Sequence, residues 1–182
     1  MKLGSGSVAL ALGFLGVAAL LRNNAKLVPR VRLATDSPLL RSSGMRNFPV
    51  PIDAQGLQFA SRFGDGHEGI DIFAPRDTAV LAVADGIARQ ASDRRGGKVI
   101  YLVEPDGTRY YYAHLDAYDK IRDKPRAVLA GDLLGFVGTT GNAKGKPPHI
   151  HFELRPDGGA KVDPFAELAR VLDEERAALG NT

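Results

Sequence analysis

Residues 101–112 read Tyr-Leu-Val-Glu-Pro-Asp-Gly-Thr-Arg-Tyr-Tyr-Tyr and place the pair Asp106-Gly107 between two runs of strand-forming residues. An Asp-Gly pair flanked in this way is a strong signal for a β-hairpin, because such a pair adopts the backbone angles of a tight turn at little cost. The stretch therefore predicts two antiparallel strands joined by a short turn, and β structure in the residues around it.

Short strand-forming runs continue on both sides of this hairpin and are separated by glycine and proline. The predicted strands cover residues 70–73, 79–91 with a break at Asp85-Gly86, 99–103, 132–137 and 150–154. Many short strands with such turns are typical of a barrel or a sandwich. We therefore predict a mainly β domain with a barrel-like or sandwich-like core of antiparallel sheet.

The pattern changes to a helical period near the C-terminus. Asp163 is a suitable helix cap and Pro164 suits the first helical position. Phe165, Leu168 and Leu172 then recur at helical spacing on one face. We predict an α-helix over residues 164–180 that packs on the sheet or lies on its edge.

The N-terminus has the features of a membrane-targeting segment. Residues 3–21 carry no charge, Lys2 precedes them, and the small residues Val17-Ala18-Ala19 could serve as a cleavage site. The apolar run also approaches the length of about 20 residues that an uncleaved anchor needs. We predict an apolar helix that is a signal peptide or signal-anchor over residues 1–21, a linker rich in turn-forming residues over 22–46, and one folded domain over 47–182.

The distribution of charge bears on partners and topology. The net charge is +3, but residues 1–60 carry seven Lys/Arg against two acids, so the folded domain is not the basic part, and we expect no nucleic-acid partner. The absence of cysteine excludes a thiolate metal site and a disulfide scaffold. Four basic residues within 22–32 follow the apolar run, and the positive-inside rule would place that flank in the cytoplasm, which conflicts with export.

All four histidines of the chain fall in three short patches: residues 66–71, 112–115 and 149–153. Histidine is the commonest metal ligand in proteins. His149 and His151 alternate with apolar residues in a predicted strand, so both should point to one side of the sheet. A turn could bring His67 and Asp71 onto one ion, and His114 should share a face with Tyr110 and Tyr112. Together the patches predict metal-dependent chemistry.

The three patches, in this order, resemble the motifs of the M23 zinc metallopeptidases of the LytM and lysostaphin type. The resemblance covers about residues 48–165 and includes the connecting stretches 61–64, 70–75, 83–86, 131–138 and 140–142. It implies the fold predicted above. The loop 141–148 is longer than in many members of the family, and because it borders the cleft, we expect it to affect substrate preference and not metal binding.

The resemblance assigns roles to individual residues. It implies one Zn²⁺ held by His67, Asp71 and His151, and it identifies His114 and His149 as catalytic histidines that do not bind the metal. Three protein ligands with an open fourth position are characteristic of catalytic zinc. One of the two histidines would accept a proton from water and the other would donate to the oxyanion or the leaving amine, in an order that the sequence leaves open.

A glutamate and two tyrosines lie within or beside these motifs. The resemblance gives Glu68 no role as a catalytic base, so we interpret it as an exposed acid of the loop. A tyrosine of the hairpin, Tyr110 or Tyr112, could assist the oxyanion, although a tyrosine in a strand more often serves packing.

The resemblance implies that the protein is a zinc-dependent metalloendopeptidase. Such an enzyme would hydrolyse peptide bonds in the stems or cross-links of peptidoglycan during bacterial cell-wall remodelling. We expect an exported, periplasmic or extracytoplasmic protein that contacts the inner membrane through its N-terminal segment. The alternative is a catalytically weak M23-like activator of other wall hydrolases, although such proteins typically lack the metal ligands. A phosphotransfer domain is disfavoured because it would not need the residues His67, Asp71 and His151 together. A biotinyl-type carrier is disfavoured because it would need a lysine for modification at a hairpin, and none is obvious.

Overall fold

The computed structural model describes residues 44–60, 63–119 and 124–180, and in these ranges the chain forms short antiparallel strands and one C-terminal α-helix. The prediction of a mainly β domain with a helix at its C-terminus is confirmed. The strands are β1 (Gln58–Phe59), β2 (Ile70–Phe73), β3 (Ala79–Leu81), β4 (Gly86–Asp93), β5 (Gly97–Val103), β6 (Arg109–Leu115), β7 (Ala117–Tyr118), β8 (Arg126–Val128), β9 (Leu133–Phe136) and β10 (His149–Arg155).

The strands form two sheets. The larger sheet has seven strands in the order β1-β2-β10-β6-β5-β4-β8, and the smaller has three in the order β3-β9-β7. Strand β10, the last in the chain, pairs with β2 on one side and with β6 on the other, both antiparallel. The three histidine patches are therefore carried by, or lie next to, three adjacent strands near the middle of one sheet.

The predicted hairpin is the pair β5–β6, in which Leu102 lies opposite Tyr110 and Val103 opposite Arg109. The turn is closed by backbone hydrogen bonds from the Glu104 amide to the Thr108 carbonyl (2.9 Å) and from the Gly107 amide to the Glu104 carbonyl (3.0 Å). The hairpin prediction is confirmed, and it supplies two of the central strands of the larger sheet.

The strand predicted over residues 79–91, with a break at Asp85-Gly86, is two strands, as that break indicates, but the two belong to different sheets. Its first part is β3 in the smaller sheet, its second part is β4 in the larger one, and Ala82, Val83 and Ala84 between them are fully buried. The amide of Ala82 donates to the carbonyl of Asp132 (2.8 Å), next to the end of β9, so the connection still contacts the smaller sheet before the chain enters β4. Because three consecutive residues are buried here, no alternation of buried and exposed positions marks where the chain leaves the first sheet.

The core lies between the larger sheet, the smaller sheet and helix α1 (Phe165–Gly180). Ile150 and Phe152 of β10 are fully buried there, as predicted for residues that alternate with the histidines. Leu168 and Leu172 of α1 join the same apolar cluster, so the helix packs on the core as expected. Asp163 Oδ1 accepts the amide of Phe165 (2.9 Å) at the start of that helix.

The predicted apolar helix and signal segment over residues 1–21 lies outside the described residues. Within the three described ranges, no helix has the length and apolar character needed to cross a lipid bilayer. At the start of the described chain Met45 is buried in the core, and the Arg46 side chain pairs with the carboxylate of Asp85.

Candidate metal and catalytic site

The register of the central strands brings an acid and a histidine together. His151 of β10 lies directly opposite Asp71 of β2 on one side and Ala113 of β6 on the other. Residues directly opposite each other in antiparallel strands project from the same face of the sheet. Since Ile70 and Ile72, which flank Asp71, are fully buried in the core, Asp71 and His151 project from the opposite face.

His67 reaches the same place through a tight turn. Asp65 and Gly66 both have positive φ angles, 50° and 84°. Gly64 and His67 exchange two backbone hydrogen bonds of 2.9 and 2.8 Å across them. Positive φ at both central residues is typical of a type I′ turn, which asparagine, aspartate and glycine favour. The turn reverses the chain just before β2 and directs His67 towards Asp71.

Three side-chain atoms therefore form a small triangle. His67 Nε2 lies 3.2 Å from Asp71 Oδ1 and 3.0 Å from His151 Nδ1, and His151 Nδ1 lies 3.0 Å from Asp71 Oδ1. Ligand atoms about 2.0–2.2 Å from a tetrahedral zinc ion lie about 3.4 Å from each other. The group has the residue types and the spacing to hold one metal ion.

The hydrogen-bonding chemistry of the triangle also fits a cation. The second nitrogen of His151, Nε2, lies 3.2 Å from Glu153 Oε1. An ionised carboxylate only accepts, so Nε2 must carry the proton of that bond, and in the neutral ring Nδ1 then presents a lone pair. That lone pair faces the Asp71 carboxylate, which is also an acceptor. Two acceptors at 3.0 Å require a proton or a metal ion between them.

The titration of the two groups reflects the same contacts. Burial alone would raise the pKa of Asp71, but the hydrogen bond from His151 and the charges of the surrounding histidines lower that pKa to about 2. Burial would lower the pKa of His151, yet its hydrogen bonds to Asp71 and Glu153 outweigh burial and raise it. The lowered pKa of Asp71 and the raised pKa of His151 both show that the space between them favours positive charge.

His114 does not lie where strand alternation predicts it. Tyr110 and Tyr112 are buried in the core, whereas the His114 ring lies 4.9 Å from the His149 ring and 6.1 Å from the His151 ring, on the opposite face. The expected shared face with the tyrosines is therefore wrong. The reason is an irregularity between β5 and β6, where the register shifts between Lys98 and Ile100 and His114 has a φ of +69°. Such a bulge redirects a side chain.

His114 and His149 form a pair beside the triangle, and each is held by one backbone carbonyl. His114 Nδ1 donates to the carbonyl of Thr140 (2.9 Å), and His149 Nδ1 donates to the carbonyl of Pro147 (2.8 Å). In a neutral ring, a proton on Nδ1 leaves the lone pair on Nε2. Burial, and next the nearby His149, lower the pKa of His114 to about 4. His114 is therefore neutral at physiological pH and able to accept a proton.

The two tyrosines named as candidates for oxyanion stabilisation have other partners. The hydroxyl of Tyr110 donates to Glu104 (2.5 Å), and the hydroxyl of Tyr112 accepts the amide of Val83 (3.0 Å), both in the core. Tyr111 is the tyrosine on the face of the site, with its ring 6.3 Å from that of His151 and its hydroxyl donating to Asp93 (2.9 Å). The core location of Tyr110 and Tyr112 excludes the suggested role for them.

Two residues of the site had no assigned role in the sequence interpretation. Glu153 accepts from His151, and Lys161 donates to Glu153 (2.7 Å) and to Glu68 (2.5 Å). Glu153 follows His149 and His151 at intervals of two, so strand alternation could have placed it on the same face. Nothing in the sequence near Lys161 indicates its position. Glu68 is exposed as expected, with 59% of its side-chain surface accessible, but it is paired with that lysine.

The loop 141–148 borders the site, as predicted. It begins at a short 3₁₀ helix (Gly141–Ala143), where the amide of Asn142 donates to the carbonyl of Arg95 (2.8 Å). It ends at Pro147, whose carbonyl holds His149. The end of the loop at Pro147 is therefore tied to the site, and Lys144 in its middle is exposed.

Comparison with known proteins identifies a matching family and several relatives of similar sequence. Residues 65–164 match peptidase family M23. The DD-carboxypeptidase/endopeptidase Mpg of Neisseria meningitidis serogroup B is 38% identical over 93 residues, which is 50% of this chain and 20% of that protein. The L-Ala--D-Glu endopeptidase of Bacillus subtilis is 31% identical over 142 residues, or 69% of this chain and 43% of that protein. The murein hydrolase activator NlpD of Salmonella dublin is 30% identical over 120 residues, or 65% and 30%.

Solved structures that are similar to this chain include one described as a peptidase of the same family. A putative peptidase M23 from Pseudomonas aeruginosa superposes with a TM-score of 0.60 at 30% identity, covering 72% of this chain and 53% of that one. The antimicrobial peptidase lysostaphin from Staphylococcus simulans superposes with a TM-score of 0.56 at 29% identity, covering 63% and 50%. The matched region of this chain spans less than half the length of the three curated relatives.

Proposed function

The chain belongs to peptidase family M23, and from that membership we propose that it is a zinc-dependent metalloendopeptidase of peptidoglycan. Its substrates would be the peptide bonds of stems or cross-links, hydrolysed during bacterial cell-wall remodelling. The observation that carries the proposal is the convergence of atoms of His67, Asp71 and His151 within 3.2 Å of each other, beside the histidine pair. Relatives named as endopeptidases support it.

We assign the ligands as His67 Nε2, Asp71 Oδ1 and His151 Nδ1, the three atoms of the triangle. Zinc is the ion that suits two imidazoles and one carboxylate with an open position, and it supplies Lewis acidity that activates water and polarises a carbonyl group. Asp71 is ionised over the whole neutral range because its pKa is about 2. The carboxylate therefore contributes a full negative charge to the site.

The histidine pair would handle the protons. His114 and His149 each present Nε2 after donating Nδ1–H to a backbone carbonyl, which fixes both rings in orientation. One of them would accept the proton of the attacking water at Nε2, and the other, after taking up a proton from solvent at its own Nε2, would donate that proton to the oxyanion or to the leaving amine. Their ring centroids are 4.9 Å apart, so both can contact one reacting peptide group.

The second candidate is a catalytically weak activator of other wall hydrolases. It is favoured by the similarity to the murein hydrolase activator NlpD, which covers 65% of this chain. Against it stands the set of five site residues, His67, Asp71, His114, His149 and His151, all present in one cluster. An activator has no need for three converging ligand atoms and a histidine pair, so we favour the enzyme.

Digestion of purified peptidoglycan tests the choice between the two. The full-length chain, loaded with zinc, should release new peptide fragments whose ends mass spectrometry identifies, and removal of zinc by a chelator should stop their release. No fragments from the chain alone, together with faster digestion when a second wall hydrolase is added, would instead support the activator.

Zinc binding should weaken as the pH falls. His151 must lose its proton from Nδ1 to bind metal, and its pKa is raised above the ordinary value of about 6.5. Affinity should therefore be constant at high pH and decline as the pH passes downward through that raised pKa, beginning above about 6.5. Competition with a chromophoric chelator from about pH 8 to about pH 5 measures the decline. An affinity unchanged down to pH 5 would contradict the assignment of His151.

We further propose that residues 1–21 direct export of the chain and that residues 22–46 are a linker. Residues 47–182 would then act on the outer side of the inner membrane, either tethered to it by residues 1–21 or released by cleavage near Ala19. A wall hydrolase must meet its substrate outside the cytoplasm, and basic linker residues suit anionic lipid head groups or wall polymers. A C-terminal reporter that works only after export should be active. If a reporter that works only in the cytoplasm is active at the same position instead, the domain faces the cytoplasm. That is the orientation that the basic residues after the apolar run favour.

A further inference from the structure

The outer nitrogen of His151 begins a chain of charged contacts that returns to the other histidine of the triangle. His151 Nε2 lies 3.2 Å from Glu153 Oε1, and the same oxygen accepts from Lys161 Nζ at 2.7 Å. Lys161 Nζ also donates to Glu68 Oε2 at 2.5 Å. Glu68 is the residue that directly follows His67. One lysine therefore connects the segments that carry the two histidines of the triangle.

The contact between Glu153 and Lys161 is largely screened from solvent, whereas Glu68 is exposed. Glu153 lies two residues after His151 on β10, and its side chain is only 10% exposed. Lys161 is 17% exposed, and its neighbour Val162 forms a bridge to Leu154 of β10 with a hydrogen bond of 3.0 Å. The backbone at Lys161 is thus kept beside β10, and the lysine side chain reaches Glu153 from there.

The His151 ring is enclosed on a third side by backbone. A Cβ atom at Gly69 would lie 2.8 Å from both Cε1 and Nε2 of His151, so only glycine fits against the ring there. The ring of His151 thus has Nδ1 towards the triangle, Nε2 towards Glu153 and Gly69 against its edge, and the contact with Glu153 is the one that holds its outer nitrogen. A ring flip would replace Nδ1 by a carbon atom and remove a ligand from the triangle.

We propose that Glu153 and Lys161 are positioning residues for the metal site. Glu153 accepts the Nε2–H of His151 and thereby directs the Nδ1 lone pair at Asp71 and His67. Lys161 compensates the charge of Glu153 and ties the His67 loop to β10 through Glu68. Carboxylate partners of metal-binding histidines commonly act in this way. The inference rests on the proposed metal site but not on peptidase activity.

Zinc affinity tests the proposal without any substrate. In chelator competition, Glu153→Leu and Lys161→Met should bind zinc about 10- to 100-fold more weakly than the wild type. Glu153→Gln should lose less, because its amide oxygen still accepts from Nε2. Lys124→Met is the matched control and should bind as the wild type does, since Lys124 is exposed and shortly precedes β8, the edge strand that β4, β5 and β6 separate from β10. Because Glu153 and Lys161 act through one contact, the loss in the double variant should be smaller than the product of the single losses.

A spectroscopic measurement separates positioning from general loss of structure. In ¹⁵N-edited NMR of the zinc-loaded protein, the hydrogen-bonded Nε2 proton of His151 should be visible in the wild type and in Glu153→Gln, and lost to exchange in Glu153→Leu. Circular dichroism of the metal-free variants checks that they fold. If Glu153→Leu does not fold, the zinc affinities of Glu153→Gln and Lys161→Met test the proposal.

Two results would overturn the proposal: wild-type zinc affinity in both Glu153→Leu and Lys161→Met, or a wild-type chain that binds no zinc. A chain that binds zinc, loses affinity in these variants and yet leaves peptidoglycan intact would overturn the proposed function and leave this inference standing.

Discussion

His114→Ala and His149→Ala should each reduce hydrolysis by about 100- to 10,000-fold while retaining stoichiometric zinc. The magnitude is that of a lost general acid or base. Zinc is retained because neither ring contributes an atom to the triangle of His67, Asp71 and His151. Each ring instead uses Nδ1 to bind a backbone carbonyl and leaves Nε2 for the reaction.

The measurement combines kcat/KM on a wall-derived peptide with elemental analysis of the dialysed protein. Arg176→Ala, on the exposed face of α1, is the control for the effect of substitution in general and should match the wild type in both. If His149→Ala loses zinc as readily as His151→Ala, the roles within the His-x-His pair are inverted. If both histidine variants keep wild-type rates, the histidine pair does not take part in catalysis.

Asp71→Ala and His151→Ala should lose both zinc and hydrolysis. Each substitution removes one ligand atom from a triangle with edges of 3.0–3.2 Å. The loss of zinc affinity should therefore exceed about 100-fold, which is the largest loss usually seen when a hydrogen-bond partner of a ligand is removed. Hydrolysis should fall to background because the Lewis acid is absent. Asp71→Asn, which keeps one oxygen but not the charge, should lie between Asp71→Ala and the wild type.

The fold should survive these substitutions. Asp71 and His151 project from the face of the sheet opposite to Ile70 and Phe152, which are fully buried in the core. Circular dichroism and thermal unfolding of the metal-free proteins provide the control, and chelator competition gives the affinity. Stoichiometric zinc in His151→Ala, in a folded protein, would show that the metal is held elsewhere.

A large part of the architecture could be predicted from local patterns. The Asp-Gly pair in residues 101–112 indicated the β5–β6 hairpin, and the alternation in residues 149–153 placed His149 and His151 on one face with Ile150 and Phe152 in the core. Asp163 and Pro164 marked the start of α1. Such predictions succeed because the periods of strands and helices and the chemistry of turns act over a few neighbouring residues.

Other features were decided by contacts between distant parts of the chain. The strand predicted over 79–91 was divided between two sheets, because its middle is buried on both sides and pairs with segments far along the sequence. His114 was turned to the face of the site by a bulge opposite β5, which strand alternation cannot reveal. A bulge depends on how two strands pair, and pairing is a property of the folded sheet.

The sequence by itself determined which residue types the site contains, because the four histidines and their spacing limit the chemistry to a few possibilities. Only the tertiary structure decided how they are arranged: His67 and His151 meet across 84 positions of sequence, and Lys161 joins Glu68 across 93. Local sequence specifies backbone preference within each segment. The register between β2, β10 and β6, set by the burial of their apolar faces against a common core, specifies which side chains converge.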